Sequence, residues 1–184
     1  MGTGIVDKLN QEFPLEDTWV SYEIHPETPR GGVLLEDLFG PGVGQRQESM
    51  RLRCAELDLP FAPPERLSNS RLAIEASEFA RDAGKYHELH RAILAAYFAH
   101  SQDIGDLGVL STLAAEVGLD SDALRKALAA GQYASRRDAT QKEACRLGIT
   151  GVPTYIFAEG TRVVGAQSLD HFRRVLESLM DDEV

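Results

Sequence analysis

An α/β fold with a helical insertion is what this sequence predicts, and three observations carry the prediction. The first is a long central block, up to Leu147, in which alanine, leucine and charged residues recur at helical spacing. The second is an isolated proline: every other proline lies before Glu65, and Pro153 sits between that block and the β-prone run Thr154-Tyr155-Ile156-Phe157. The third is a short alternating run, Trp19-Val20-Ser21-Tyr22-Glu23-Ile24, ahead of the helices. The order that results is α-β, a helical block, then α-β-β-α.

Residues 5–13 put Ile5, Val6, Leu9 and Phe13 on one face, which predicts an amphipathic helix stopped by Pro14. Residues 19–24 predict a strand with Val20, Tyr22 and Ile24 on one face. His25-Pro26 opens a loop, and residues 33–44 predict one helical turn beneath Gly40-Pro41-Gly42-Val43-Gly44. A helix over 45–57 carries Met50, Cys54 and Leu57, and ends at the proline-rich 59–64. Asn69 or Ser70 caps a helix with Leu72, Ala73, Ala76, Phe79 and Ala80 inward, closed by Gly84. Further helices run over 86–99, from Asp106 to Gly118, from Asp120 or Ser121 to Gly131, and over 133–147, with Gly148 at the C-cap position. Pro153 cannot donate to a sheet ladder, so it starts a strand over 154–157; Glu159-Gly160 turns the chain into a second strand over 161–164. Ser168 caps the last helix. With no repeat and no low-complexity linker, one domain over residues 1–184 is expected, its helical subdomain spanning about 45–130.

Composition narrows the function. The formal charge of −10 argues against nucleic-acid or anionic-membrane partners. The first residues lack the basic and apolar regions of a secretory signal, Val6 stands where a myristoylation motif wants Ser or Thr, and a bacterial-type cytoplasmic location is the expectation. The two cysteines, Cys54 and Cys145, form no Cys-X-X-Cys and no metal-ligand spacing, so both are expected to be inert thiols. His87 and His90 share a helix face, but the spacing is not His-Glu-X-X-His and no third ligand accompanies them. Gly40-Pro41-Gly42-Val43-Gly44 lacks the lysine and hydroxyl of a phosphate loop. No metal and no cofactor are expected.

The arrangement helix, Gly148-Ile149-Thr150-Gly151-Val152-Pro153-Thr154-Tyr155-Ile156-Phe157, turn, Val163-Val164-Gly165-Ala166-Gln167, helix resembles the C-terminal half of a thioredoxin-fold protein of the DsbA superfamily. It is most similar to the FrnE-like branch of dithiol–disulfide oxidoreductases or isomerases, which are related to 2-hydroxychromene-2-carboxylate isomerases. The resemblance runs from about Met1 to Met180. Its most specific pieces are Gly151-Val152-Pro153-Thr154 and Gly165-Ala166-Gln167. It implies a cis-proline at Pro153 and a protein or peptide thiol or disulfide as substrate. Gly151, Val152, Pro153 and Thr154 would hold that substrate, with Gly2, His25 and Asn69 as lining candidates. In such proteins a thiolate at the start of the first helix attacks the substrate disulfide, and a second cysteine resolves the mixed disulfide.

The resemblance also implies a central strand and a Cys-X-X-Cys ahead of the first helix. Here Met1-Gly2-Thr3-Gly4-Ile5-Val6 already resembles the residues just after that motif. The expectation is a chain that begins after the catalytic cysteines, from a shifted start or as a natural remnant, and is catalytically disabled. Two other readings stand beside it: a glutathione-dependent isomerase or transferase, and a non-catalytic peptide-binding or assembly module. The missing strand would be compensated by a two-fold homodimer, or by residues 19–24 sliding over to pair with 154–157.

Overall fold

In a computed structural model residues 1–181 are described, so the last three residues of the expected 1–184 domain lie outside the described residues. Nine helices and four short strands succeed one another among them: α1 (Gly2–Leu9), β1 (Val33–Leu34), α2 (Leu35–Phe39), a 3-10 turn (Gly40–Gly42), α3 (Val43–Glu56), β2 (Arg66–Leu67), α4 (Arg71–Asp82), α5 (Tyr86–His100), α6 (Leu107–Glu116), α7 (Ser121–Ala129), α8 (Ala134–Arg146), β3 (Thr154–Ile156), β4 (Arg162–Val164) and α9 (Leu169–Asp181).

Two apolar cores result. Helices α4 to α7 close around Leu89, Leu110, Leu124 and Ala76, which are fully or almost fully buried. Burying each of those leucines stabilises the fold by roughly 1.5–3 kcal/mol. The helices start where their sequence says they should: Asp106 accepts from the Val109 N–H, and Asp120 from those of Asp122 and Ala123. The second core packs α1 and α9 on the β3–β4 hairpin through Ile5, Leu9, Val163, Phe172 and Leu176, with Tyr155 edge-on to Phe172. Polar contacts tie the surrounding elements to the helical core. Arg91 of α5 forks Asp7 of α1 at 2.6 and 2.7 Å, Arg137 of α8 pairs with the buried Glu75 of α4, and Ser21 meets the Tyr86 hydroxyl at 2.7 Å.

Three expectations are corrected. Residues 19–24 form no ladder. The backbone N–H and C=O of Glu23 are taken instead by the side-chain amide of Gln141, at 3.2 and 2.9 Å, a single residue standing in for a neighbouring strand. In this segment Ser21 and Glu23 are buried, whereas Val20 is 65% and Ile24 40% exposed. Polar partners decide this, because Glu23 meets Arg71, Ser70 and Gln141 on the helical side. The alternative pairing of 19–24 with 154–157 does not form either; β3 pairs antiparallel with β4 alone among the described residues. Lastly, residues 33–44 contain a strand as well as a turn, since Val33 and Leu34 pair with Leu67 and Arg66.

Candidate functional site

The site is built where the α8–β3 connection meets the start of α1. Helix α8 ends at Gly148, whose φ of +66° suits glycine, and the Ile149 N–H returns to the Ala144 carbonyl. The chain then turns through Gly151 and Val152 into a cis Val152–Pro153 peptide. The Thr154 hydroxyl donates to the Gly151 carbonyl at 2.8 Å and closes the turn. On the far side, the Gly165 N–H donates to the Pro153 carbonyl at 2.8 Å, so the Gly165-Ala166-Gln167 segment props the proline loop. Gln167 fixes that segment by donating to the Val164 carbonyl at 2.9 Å, and Arg53 of α3 donates to the Ala166 carbonyl.

Gly2 lies directly against the loop. A β-carbon there would sit 3.0 Å from Pro153 Cβ and 3.4 Å from the Tyr155 hydroxyl oxygen, and that hydroxyl donates to the Gly2 carbonyl at 3.4 Å. Burial raises the Tyr155 phenol above its ordinary value, so it remains a neutral donor. The N-terminal end of α1, with its outward N–H groups and positive dipole end, therefore adjoins the proline loop.

Val152 presents the open part of the loop. It is 51% exposed, and among the described residues its backbone N–H and C=O bond to no protein group. On β3, Phe157 donates to the Thr161 carbonyl and Pro153 accepts from Gly165, so residues 153, 155 and 157 face β4. The N–H and C=O of Thr154 and Ile156 then point to the other, unpaired edge. Val152 and this edge form a continuous strip of free backbone.

Of the expected lining residues, Gly2 packs on Pro153. His25 bonds Glu27 at 3.0 Å and stands edge-on to Phe39. Asn69 donates to the Thr28 carbonyl at 2.6 Å and accepts from the Arg71 N–H, which makes it a brace for the 25–32 loop. Two further residues bear on the loop: the Tyr22 hydroxyl donates to the Ile149 carbonyl at 3.2 Å, and Arg53 holds Ala166. A tyrosine and an arginine with long-range backbone acceptors leave no local pattern, and sequence reading missed both. Both cysteines are free, Cys54 buried on α3 and Cys145 exposed on α8. Burial pushes the Cys54 thiol up, away from nucleophilic reactivity. No group of His, Cys, Asp and Glu that could hold a metal forms among the described residues.

Comparison with known proteins bears on the fold and the family. The DSBA-like thioredoxin domain family matches residues 15–177. An uncharacterized protein, YwbO, of Bacillus subtilis (strain 168) is 34% identical over 168 residues, covering 88% of this chain and 81% of that protein. Among solved structures, the probable DsbA oxidoreductase SCO1869 from Streptomyces coelicolor superposes with a TM-score of 0.87 at 23% identity, covering 96% of this chain and 82% of that one. A 2-hydroxychromene-2-carboxylate isomerase does so with a TM-score of 0.72 at 15% identity, covering 97% and 86%. At these identities the two structures show the fold alone. The fold is thus thioredoxin-like with a helical insertion, and the chain belongs to the DSBA-like thioredoxin domain family.

Proposed function

We propose that this chain is the substrate platform of a thiol–disulfide oxidoreductase or isomerase, that it receives an extended protein or peptide thiol or disulfide along Val152, and that it carries out no redox turnover itself. The free backbone of Val152 beside Pro153 is the observation that carries this reading. An extended peptide laid antiparallel there gains main-chain hydrogen bonds as an added strand would. The inactivity rests on chemistry rather than on shape. Gly2, not a thiol, packs against Pro153, Cys54 is buried with its thiol pushed up, and Cys145 is a free thiol on the surface of α8 with no second cysteine beside it.

The same reading pairs two copies through the unpaired edge of β3, where Ile156 is about half exposed. It also keeps the chain in the cytoplasm; no helix of the described residues is long and apolar enough to cross a membrane.

Turnover assays test the redox part. Reduction of insulin by dithiothreitol and reactivation of scrambled ribonuclease are expected to run at their uncatalysed rates with the 184-residue chain added. Acceleration that survives combined Cys54→Ala and Cys145→Ala would overturn the proposal. Acceleration lost in one of these variants would assign the chemistry to that cysteine and likewise contradict the inactivity.

A further inference from the structure

Trp19, the one tryptophan of the chain, lies in the extended segment that no strand holds. Its ring centroid is 4.5 Å from that of His87 and 5.7 Å from that of His90, and the Arg91 guanidinium stands 4.7 Å over it. Its carbonyl accepts from Arg81 at 2.9 Å, and its indole N–H donates to Asp17. Two residues on, Ser21 meets the Tyr86 hydroxyl. Tyr86 stacks on His90 at 5.3 Å with planes 11° apart, under the Arg81 guanidinium at 3.8 Å. His90, partly buried, is therefore the residue on which the clamp around residues 19–21 closes.

The same segment leads to the proline loop. Tyr22 donates to the Ile149 carbonyl, Glu23 is held by Gln141 of α8, and Arg91 ties α5 to Asp7 of α1, the helix whose Gly2 packs on Pro153.

We propose that the His90 cluster is an acid-sensitive latch: neutral His90 clamps residues 19–24 on α5, and its protonation frees that segment and loosens the proline loop to which Tyr22 ties it. The hydrogen bonds fix the tautomer of the neutral ring. The single Ser77 hydroxyl proton goes to the Ala73 carbonyl at 3.0 Å, so Ser77 Oγ accepts from Nδ1–H of His90 at 3.2 Å. Protonation adds its hydrogen at Nε2 and places a positive charge in a ring cluster that already holds the Arg81 and Arg91 guanidinium groups. The charged groups around the ring do not compensate. From α4 comes Arg81, already paired with Glu78; from α5 come His87 and Arg91; Asp7 of α1 is spent on Arg91, and Asp17 sits at the indole N–H. Burial first, then the His87, Arg81 and Arg91 charges, hold the imidazole down at about 4. A released histidine titrates near its ordinary value of about 6.5. Between those values the released state binds more protons than the clamped one, so clamping weakens as pH falls.

The fluorescence of Trp19 reads the latch directly. On acidification from pH about 6.5 towards about 4, its emission is expected to shift red and its quenching by acrylamide to rise, while far-UV circular dichroism stays at its neutral value. The His90 Cε1–H resonance should titrate with the same midpoint. His90→Gln should abolish the transition, and His87→Gln should keep it; should His90→Gln not fold at neutral pH, His90→Phe supplies the comparison. The proposal is overturned by a Trp19 signal that moves only with loss of helix, by a transition retained in the His90 variants, or by His90 titrating near its ordinary value with Trp19 unmoved.

Discussion

A β-carbon at Gly32 would lie 2.6 Å from the Leu67 carbonyl oxygen, and φ there is +67°. Gly160 shares the positive φ, +85°, but a β-carbon there meets nothing within 4 Å. The pair separates conformational strain from collision. Gly160→Ala is expected to cost about 1–2 kcal/mol, the left-handed penalty alone. Gly32→Ala is expected to cost clearly more, because the β1–β2 pairing must also shift, with a fall in Tm of roughly 2–4 °C per kcal/mol for a chain of this size. Equal costs in thermal denaturation would show that Leu67 yields freely. Single residues were legible in the sequence where a local rule fixes them: Asp106 and Asp120 cap their helices, and Ser168 accepts from the His171 N–H. They were illegible where the partner lies far along the chain. Nothing in Trp19-Val20-Ser21-Tyr22-Glu23-Ile24 says that Ser21 will meet Tyr86 or Glu23 meet Arg71, so the alternation was read as a strand.

At the scale of elements, helices were read well and the sheet was not. A helix satisfies its own backbone, and apolar spacing plus caps and glycines mark its ends, as for α4 to α8. A strand exists only through its neighbour. Residues 19–24 have strand-like composition and no strand beside them, whereas Val33 and Leu34 are too short a run to notice yet pair with Leu67 and Arg66. The β3–β4 hairpin was legible because Gly160 turns two β-prone runs onto each other. Its open edge, Thr154 and Ile156, carries the dimer part of the proposed function. Sedimentation velocity at micromolar concentration is expected to show a dimer that Ile156→Lys converts to monomer, since a charge on an edge strand opposes edge-to-edge pairing. A wild-type monomer across that range would remove this part of the account while leaving the platform standing.

At the scale of the molecule, the order helix, proline loop, hairpin, helix was enough to suggest a thioredoxin-like fold, because Pro153 and the Gly165-Ala166-Gln167 prop are contiguous with the elements they join. The polar ties between elements were beyond reach, since their ion pairs, Asp7 of α1 with Arg91 of α5 and Glu75 of α4 with Arg137 of α8, join residues far apart in the chain. The central claim is that Val152, beside Pro153, offers free backbone to an extended peptide, the β3 edge beyond it being left to the second copy. Backbone amide NMR during titration with an unstructured peptide, its one cysteine blocked as the S-methyl thioether, tests it most directly. The account expects shift changes concentrated at residues 150–153, and their loss in Val152→Pro, which removes the N–H that the added strand would use. No shifts at saturating peptide, or shifts gathered elsewhere such as on α5 and α6, would contradict it.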